Sequence, residues 1–392
     1  MVFKLFFLND IYFIRTFKRI FHVMKKLLII IVTISGLYTQ CLGDLNQDNV
    51  IDILDIILVV NIILGDEVAG ELSDINYDNI TNILDIIILV NIILDNVNSC
   101  EIMWGEETSA LPDYYYSDDV GDSQMNDVVE YYNIAKESWG NYGPLEFWVI
   151  GTNIFAAAEL DEYYCELRLE KDPCLGDDFL QWCLNREYSF VDYAMYGGAG
   201  LSLRRENHWN CEGYSYLEIT LSSQYPFPDE SDYNVVTMHE YFHVYQMAHI
   251  STYDFNERAE LMVVNPWWSE GGAEYMAQLL YSQQDGVYAN YLRDRMTWKM
   301  QSKNDLFENE FISEIPYGNR AYIAYDLGAW AIAYLISIVG IETYRVDFYN
   351  SLNEHGWENS FIINFNMTSN EFLINFHEFL QLSIQDQLTI IP

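Results

Sequence analysis

Hydrophobic positions fall along the chain in distinct blocks. An apolar run from Leu27 to Leu37 follows Lys25 and Lys26. Two more runs, Ile56 to Leu64 and Ile86 to Leu94, each follow a short stretch rich in Asp and Asn. From Met125 the pattern becomes that of a larger globular unit. Val128 to Trp139 has helical spacing, Leu145 to Gly151 and Tyr216 to Leu221 read as strands, and the chain after Pro228 is mostly helical. Between the strands, the cysteine-containing segment 160–211 shows no sustained period and is expected to be an irregular insertion. Residues 101–124 are acidic, are broken by Gly105, Pro112 and Gly121, and are expected to be a linker. The fold class that follows is α+β, with a small all-α module at 41–100 followed by a mostly helical domain with a small sheet at 125–392.

Met24, the two lysines and the apolar run have the form of a secretory signal peptide, since the run is too short to span a bilayer comfortably. Residues 1–40 are therefore expected to be a leader, with an uncleaved anchor as the alternative, and the protein to be secreted or held at the cell surface. Charge changes the picture further. With 59 acidic against 19 basic residues, the formal net charge is −40. Such a field repels phosphate backbones, which disfavours nucleic acid as a partner, and it suits calcium or a salty medium. The six cysteines are Cys41, Cys100, Cys165, Cys174, Cys183 and Cys211. On an exported chain an even count reads as disulfides. Cys41 and Cys100 bracket the small module, so a bridge closing it is expected. The other four allow three pairings, and no Cys-x-x-Cys pair suggests a metal site.

The small module is an internal repeat. Asp44, Asn46, Asp48, Asp52 and Asp55 recur as Asp74, Asn76, Asp78, Asn82 and Asp85 at a constant offset of thirty residues. These fill positions 1, 3, 5, 9 and 12 of a calcium loop of EF-hand type, where position 7 (Val50, Ile80) offers its backbone carbonyl. Asn49 and Asn79 stand where Gly is usual, and Asn is the next best residue for a left-handed turn. Each loop leads into one helix. The pattern over residues 43–96 resembles a type I dockerin. That resemblance implies two bound calcium ions and a docking role toward a cohesin-like module on a scaffold or cell surface. It places recognition on Ile53-Leu54 and Ile83-Leu84, which are identical in the two copies and so permit two pseudo-symmetric orientations. The alternative is a calcium-stapled spacer with no partner.

In the larger domain the informative stretch is His239-Glu240-Tyr-Phe-His243. Histidines four apart share one helix face and can hold one zinc ion. Glu240 then lies beside the open coordination position, where a carboxylate can take a proton from water. A third ligand is offered by Ser269-Glu270-Gly271-Gly272-Ala273-Glu274, which starts 26 residues after His243 with Ser269 as a candidate N-cap. Glu270 and Glu274 lie one turn apart, so one can bind zinc while the other accepts the outer N–H of a ligand histidine.

Together, His-Glu-x-x-His and Ser-Glu-Gly-Gly-Ala-Glu-Tyr resemble the gluzincin metallopeptidases, over roughly 126–392. The resemblance implies one zinc held by His239, His243 and Glu270, support for a ligand histidine from Glu274, Glu240 as general base, and hydrolysis of a peptide or protein substrate. It also implies an oxyanion-stabilising tyrosine, which Tyr325-Asp-Leu-Gly328 places at Tyr325, with Tyr322 as fallback. By analogy, the strand Tyr216–Leu221 is expected to be an edge that pairs with extended substrate. The chain departs from the family aminopeptidases in lacking a Gly-x-Met-Glu-Asn segment, which favours endopeptidase action. Two other readings are a catalytically inactive docked surface subunit and a dockerin-bearing carbohydrate-active protein.

Overall fold

A computed structural model describes residues 43–46, 51–65, 70–75, 80–94, 104–172, 174–176, 178–187, 189–204, 215–222, 234–252, 254–262 and 266–392. The expected leader 1–40, Cys41, Cys100, Cys211 and the loop positions Asp48, Asn49, Val50, Asn76, Asp78 and Asn79 lie outside the described residues. The chain divides into two compact units: one reaches residue 101 and includes 109–111, and the other comprises 102–108 and 112–392.

The small unit contains helices α1 (Ile53–Leu64) and α2 (Ile83–Leu94). Both begin with the same device. Asp52 accepts from the Leu54 amide at 2.7 Å, and Asn82 accepts from the Leu84 amide at 2.8 Å. Asp55 and Asp85, three residues on, are fully buried. Asp55 Oδ2 takes the Asp52 amide at 2.8 Å, and Asp85 Oδ2 takes the Asn82 amide at 2.7 Å. Their other oxygens reach back to the loop entrance: Asp55 Oδ1 accepts from Leu45 N at 2.8 Å, and Asp85 Oδ1 from Ile75 N at 2.7 Å. The sequence repeat is thus a repeat of bonds. Ile51, Val59, Ile75 and Leu89 form the core between the helices. These helices are too apolar to bury all their faces on so small a core, and Ile53 and Ile83, at 61% each, stay exposed beside Leu54 and Leu84.

The larger unit is α+β and mostly helical. Its first half contains β1 (Asp113–Tyr116), α3 (Asp122–Trp139), β2 (Leu145–Ile150), α4 (Ile154–Lys171), α5 (Phe179–Cys183), α6 (Phe190–Tyr196), β3 (Ala199–Arg204) and β4 (Tyr216–Ser222). Strand order is β1-β2-β4-β3, parallel except for β3. β2 and β4 are buried along their whole length; β2 carries the apolar run Phe147–Ile150, whereas β4 alternates Leu217, Ile219 and Leu221 with Glu218, Thr220 and Ser222. Phe147, Val149, Ile219 and Leu221 join the main core, whereas Trp148 and Ile150 pack with residues of α4 and α6. On the latter side Glu146 and Glu218 are register partners. Arg168 from α4 meets Glu146 Oε1 at 2.6 Å, and Lys171 reaches the same oxygen at 3.0 Å.

Three expectations are corrected here. Residues 113–116 of the supposed linker form edge strand β1, because its tyrosines alternate faces: Tyr114 stacks on Phe147 at 5.2 Å and Tyr115 on Trp148 at 4.2 Å. Much of the 160–211 segment is regular. Its apolar period was obscured because the buried face of α4 carries Asp161, Cys165 and Arg168. Cys165 pairs with Cys183 across a Cα separation of 5.8 Å, tying α4 to α5, and Cys174 is also disulfide-bonded. Finally, Tyr216–Leu221 is an interior strand, and the edge beside it is β3, with β1 at the opposite edge.

The second half contains α7 (Asn234–Ala248), α8 (Phe255–Met262), α9 (Pro266–Ser282), α10 (Tyr291–Lys299), α11 (Ala321–Val339), α12 (Phe348–His355), α13 (Trp357–Phe365), α14 (Ser369–Phe379) and α15 (Ile384–Gln387). α7 is buried on nearly every side, between α3, α9 and the β3–β4 hairpin pair. α9 starts at Pro266, so Ser269 lies inside it and is not its N-cap. α9 and α11 cross in backbone contact: a Cβ on Gly271 would come within 2.5 Å of Gly328 Cα, and one on Gly328 within 2.5 Å of the Trp267 carbonyl. Only paired glycines allow this crossing, which brings Tyr325 to Glu270. α11 is long and apolar enough to cross a membrane, but it is mostly buried in this unit.

Candidate metal centre

α7 presents His239 and His243 one turn apart, with ring centroids 5.0 Å apart and planes at 79°. From α9, Glu270 Oε2 lies 3.3 Å from His239 Nε2 and 3.0 Å from His243 Nε2. One donor atom from each of the three residues falls within 4.8 Å of the others, the one such group among the described residues. A tetrahedral zinc with bonds near 2.0–2.1 Å spaces its ligands about 3.3 Å apart, so this donor set fits the ion.

The outer ring nitrogens are both engaged. His239 Nδ1 donates to Glu274 Oε2 at 3.2 Å, and His243 Nδ1 donates to Gln246 Oε1 at 2.7 Å. Gln246 Nε2 donates to the Ser269 carbonyl at 3.2 Å, which requires its oxygen to face the histidine. Acceptors on both Nδ1 atoms leave both Nε2 lone pairs aimed inward at one point. Sequence reasoning did not identify Gln246. Its position three residues after His243, on the same helix face, was the available signal.

The electrostatics favour a cation. Burial pushes Glu270 up, but the neighbouring His243 and His239 hold its carboxyl well below the usual range. Burial likewise pushes Glu274 up, and Lys299 with His239 brings it well below that range. Burial pushes both histidines down, yet the surrounding acids raise them: Glu270 and Glu274 act on His239, and Glu270 acts on His243. Glu240 is raised, chiefly by its own burial. It takes no hydrogen bond among the described residues and faces the cavity, so its carboxylate is free to handle a proton.

This cavity has a volume of about 530 Å³. Its lining includes His239, Glu240, His243, Glu270, Tyr317 and Tyr325, together with Ala199, Gly200 and Leu201 of edge strand β3. The Tyr325 ring lies parallel to His239 at 6.3 Å. Burial and the nearby Glu270 keep its hydroxyl protonated far beyond the ordinary tyrosine range. Tyr322, the fallback, points elsewhere and bonds Asp305 at 3.0 Å. Tyr317, which sequence reasoning missed, donates to Glu270 Oε1 at 2.8 Å. It sits in a turn before α11, where no period or motif marks it.

The described calcium-loop positions are Asp44, Asn46, Asp52, Asp55, Asp74, Ile80, Asn82 and Asp85. Of these, Asp55 and Asp85 are buried against loop amides while Asp52 and Asn82 cap helices. Compared with family models, with curated proteins and with solved structures, the chain matches none.

Proposed function

We propose that this protein is a secreted zinc peptidase of gluzincin type, tethered through a calcium-binding dockerin-like module. The observation that carries the reading is the convergence of His239 Nε2, His243 Nε2 and Glu270 Oε2 beside Glu240, which lines the same cavity. Zinc bound there supplies Lewis acidity and lowers the pKa of water toward neutrality. Glu240 accepts a proton from the attacking water and later delivers it to the leaving amine. The Tyr325 hydroxyl, kept protonated, donates to the carbonyl oxygen as charge develops on it. β3, at the sheet edge, offers backbone groups to an extended peptide in place of the interior strand expected from sequence. Without a segment dedicated to a free amino terminus, endopeptidase action is the form proposed.

In the small unit, the exposed pairs Ile53-Leu54 and Ile83-Leu84 support a docking face for a cohesin-like module. The thirty-residue repeat of oxygen-bearing side chains at calcium-loop spacing supports two calcium ions. Export through residues 1–40 would place the chain outside the cell.

The test is metal analysis with casein hydrolysis, comparing native protein with Glu240→Gln. Bound zinc in both with hydrolysis only in the native protein supports the reading. Bound zinc with no hydrolysis of casein or a peptide library by either favours the inactive docked subunit, which has no use for Glu240. Calcium titration followed by circular dichroism tests the loops, and no ordering on adding calcium removes the dockerin-like assignment.

A further inference from the structure

Behind the metal centre lies a buried charge that the proposed chemistry does not use. Lys299, at the end of α10, is only 4% exposed in a chain with few basic residues. Its Nζ lies 2.7 Å from Glu274 Oε1 and 3.1 Å from Asp326 Oδ1. Glu274 Oε1 also accepts from Gln278 Nε2 at 2.9 Å, leaving Oε2 for His239. Asp326 is held on its other oxygen by Ser302 and directly follows Tyr325 on α11. Arg295, one turn before Lys299, and Trp298, whose ring lies 5.5 Å from the ammonium, complete its surroundings.

A buried ion pair is seldom needed for stability, because well-packed apolar residues of the same volume do as well. This one stands one bond from a ligand histidine, where an apolar residue could not fix a carboxylate's rotation. We infer that Lys299 is a positioning residue for the metal site: it locks Glu274 with one oxygen on His239 Nδ1 and, through Asp326, ties that arrangement to the helix carrying Tyr325. Lys299 touches neither the metal ligands nor substrate. Its contribution is to keep His239 Nε2 pointing at the site and to hold α9, α10 and α11 in one register there. The inference rests on the zinc reading above.

The experiment uses the full-length protein and Lys299→Met, measuring zinc affinity by chelator competition, the visible spectrum of the cobalt-substituted form, and thermal unfolding of the metal-free protein. Loss of an outer-shell support lowers metal affinity on the order of 10- to 100-fold, and the same loss is expected here with an altered cobalt spectrum. Because Lys299→Met leaves two buried acids facing each other, Lys299→Met/Asp326→Asn is measured alongside it. A folded variant whose zinc affinity falls by no more than about threefold, with an unaltered cobalt spectrum, overturns the proposal. Failure of both variants to fold makes Lys299 a structural residue and overturns it too. Native protein that binds no zinc overturns the metal reading itself, and this inference with it.

Discussion

Replacing Gln246 by Leu separates what orients a ligand from what merely fills space. Gln246 is fully buried and makes three bonds: from His243 Nδ1 at 2.7 Å, to the Ser269 carbonyl at 3.2 Å and to the Tyr349 hydroxyl at 3.1 Å. Leu is close in volume, so cavity formation is a minor effect. The variant leaves the His243 Nδ1–H without an acceptor and the Ser269 carbonyl without this donor. Unsatisfied buried groups cost roughly 1–3 kcal/mol each, which sets the expected loss of metal-free stability. With the acceptor gone, the ring can turn or adopt the other tautomer. Zinc affinity should then fall about 10- to 100-fold, equivalent to about 1.4–2.7 kcal/mol. Chelator competition at fixed pH reads the second quantity and denaturant unfolding of metal-free protein the first. Gln246→Glu, which keeps an acceptor at Nδ1, should retain more of the affinity than Gln246→Leu. A folded Leu variant with native zinc affinity would refute the reasoning, because His243 would then be oriented by packing alone.

Further outcomes follow from other parts of the fold. Tyr325→Phe should lower kcat by about 10²- to 10³-fold with zinc retained, as loss of an oxyanion donor does, whereas Tyr317→Phe should mainly weaken zinc binding; the opposite pattern in steady-state kinetics and zinc titration would exchange their roles. Gly328→Ala forces a Cβ against the Trp267 carbonyl and should destabilise by about 1–3 kcal/mol in chemical denaturation; a neutral result would mean the α9–α11 crossing is looser than described. Glu218 is raised to about 7 by burial, with Arg168 opposing and Glu146 adding to the rise. The folded state therefore keeps a proton that the unfolded chain has lost, so this group's contribution declines as pH rises from about 4.5 to about 7. Glu218→Gln should flatten that decline and gain at most about 3 kcal/mol over native protein at pH 8 relative to pH 4.5, and unfolding curves of equal pH slope would refute it.

The parts legible in the sequence are those set by short-range periodicity. A helix places residues four apart on one face, so the pairing of His239 with His243 and of Glu270 with Glu274 followed from spacing alone, and the constant thirty-residue offset matched Asp52 and Asp55 to Asn82 and Asp85. Strand β2 was legible from its apolar run Phe147–Ile150, and β4 from the period-two alternation of Leu217, Ile219 and Leu221 with polar residues. The expected linker and insertion were misread for a physical reason: Tyr114 and Tyr115 are packed on opposite faces of a sheet, and α4 buries charges paired with partners far along the chain. Neither leaves a local apolar period. Which strand forms the edge, that Gln246 and Lys299 stand behind the histidines, and that Tyr317 meets Glu270 depend on how distant elements cross. Composition can offer two glycines in separate helices, but only close packing of those helices brings Glu270, Tyr325 and Asp326 together. Spacing along the chain thus determined which groups could share a helix face, and the tertiary structure alone decided which of those faces meet.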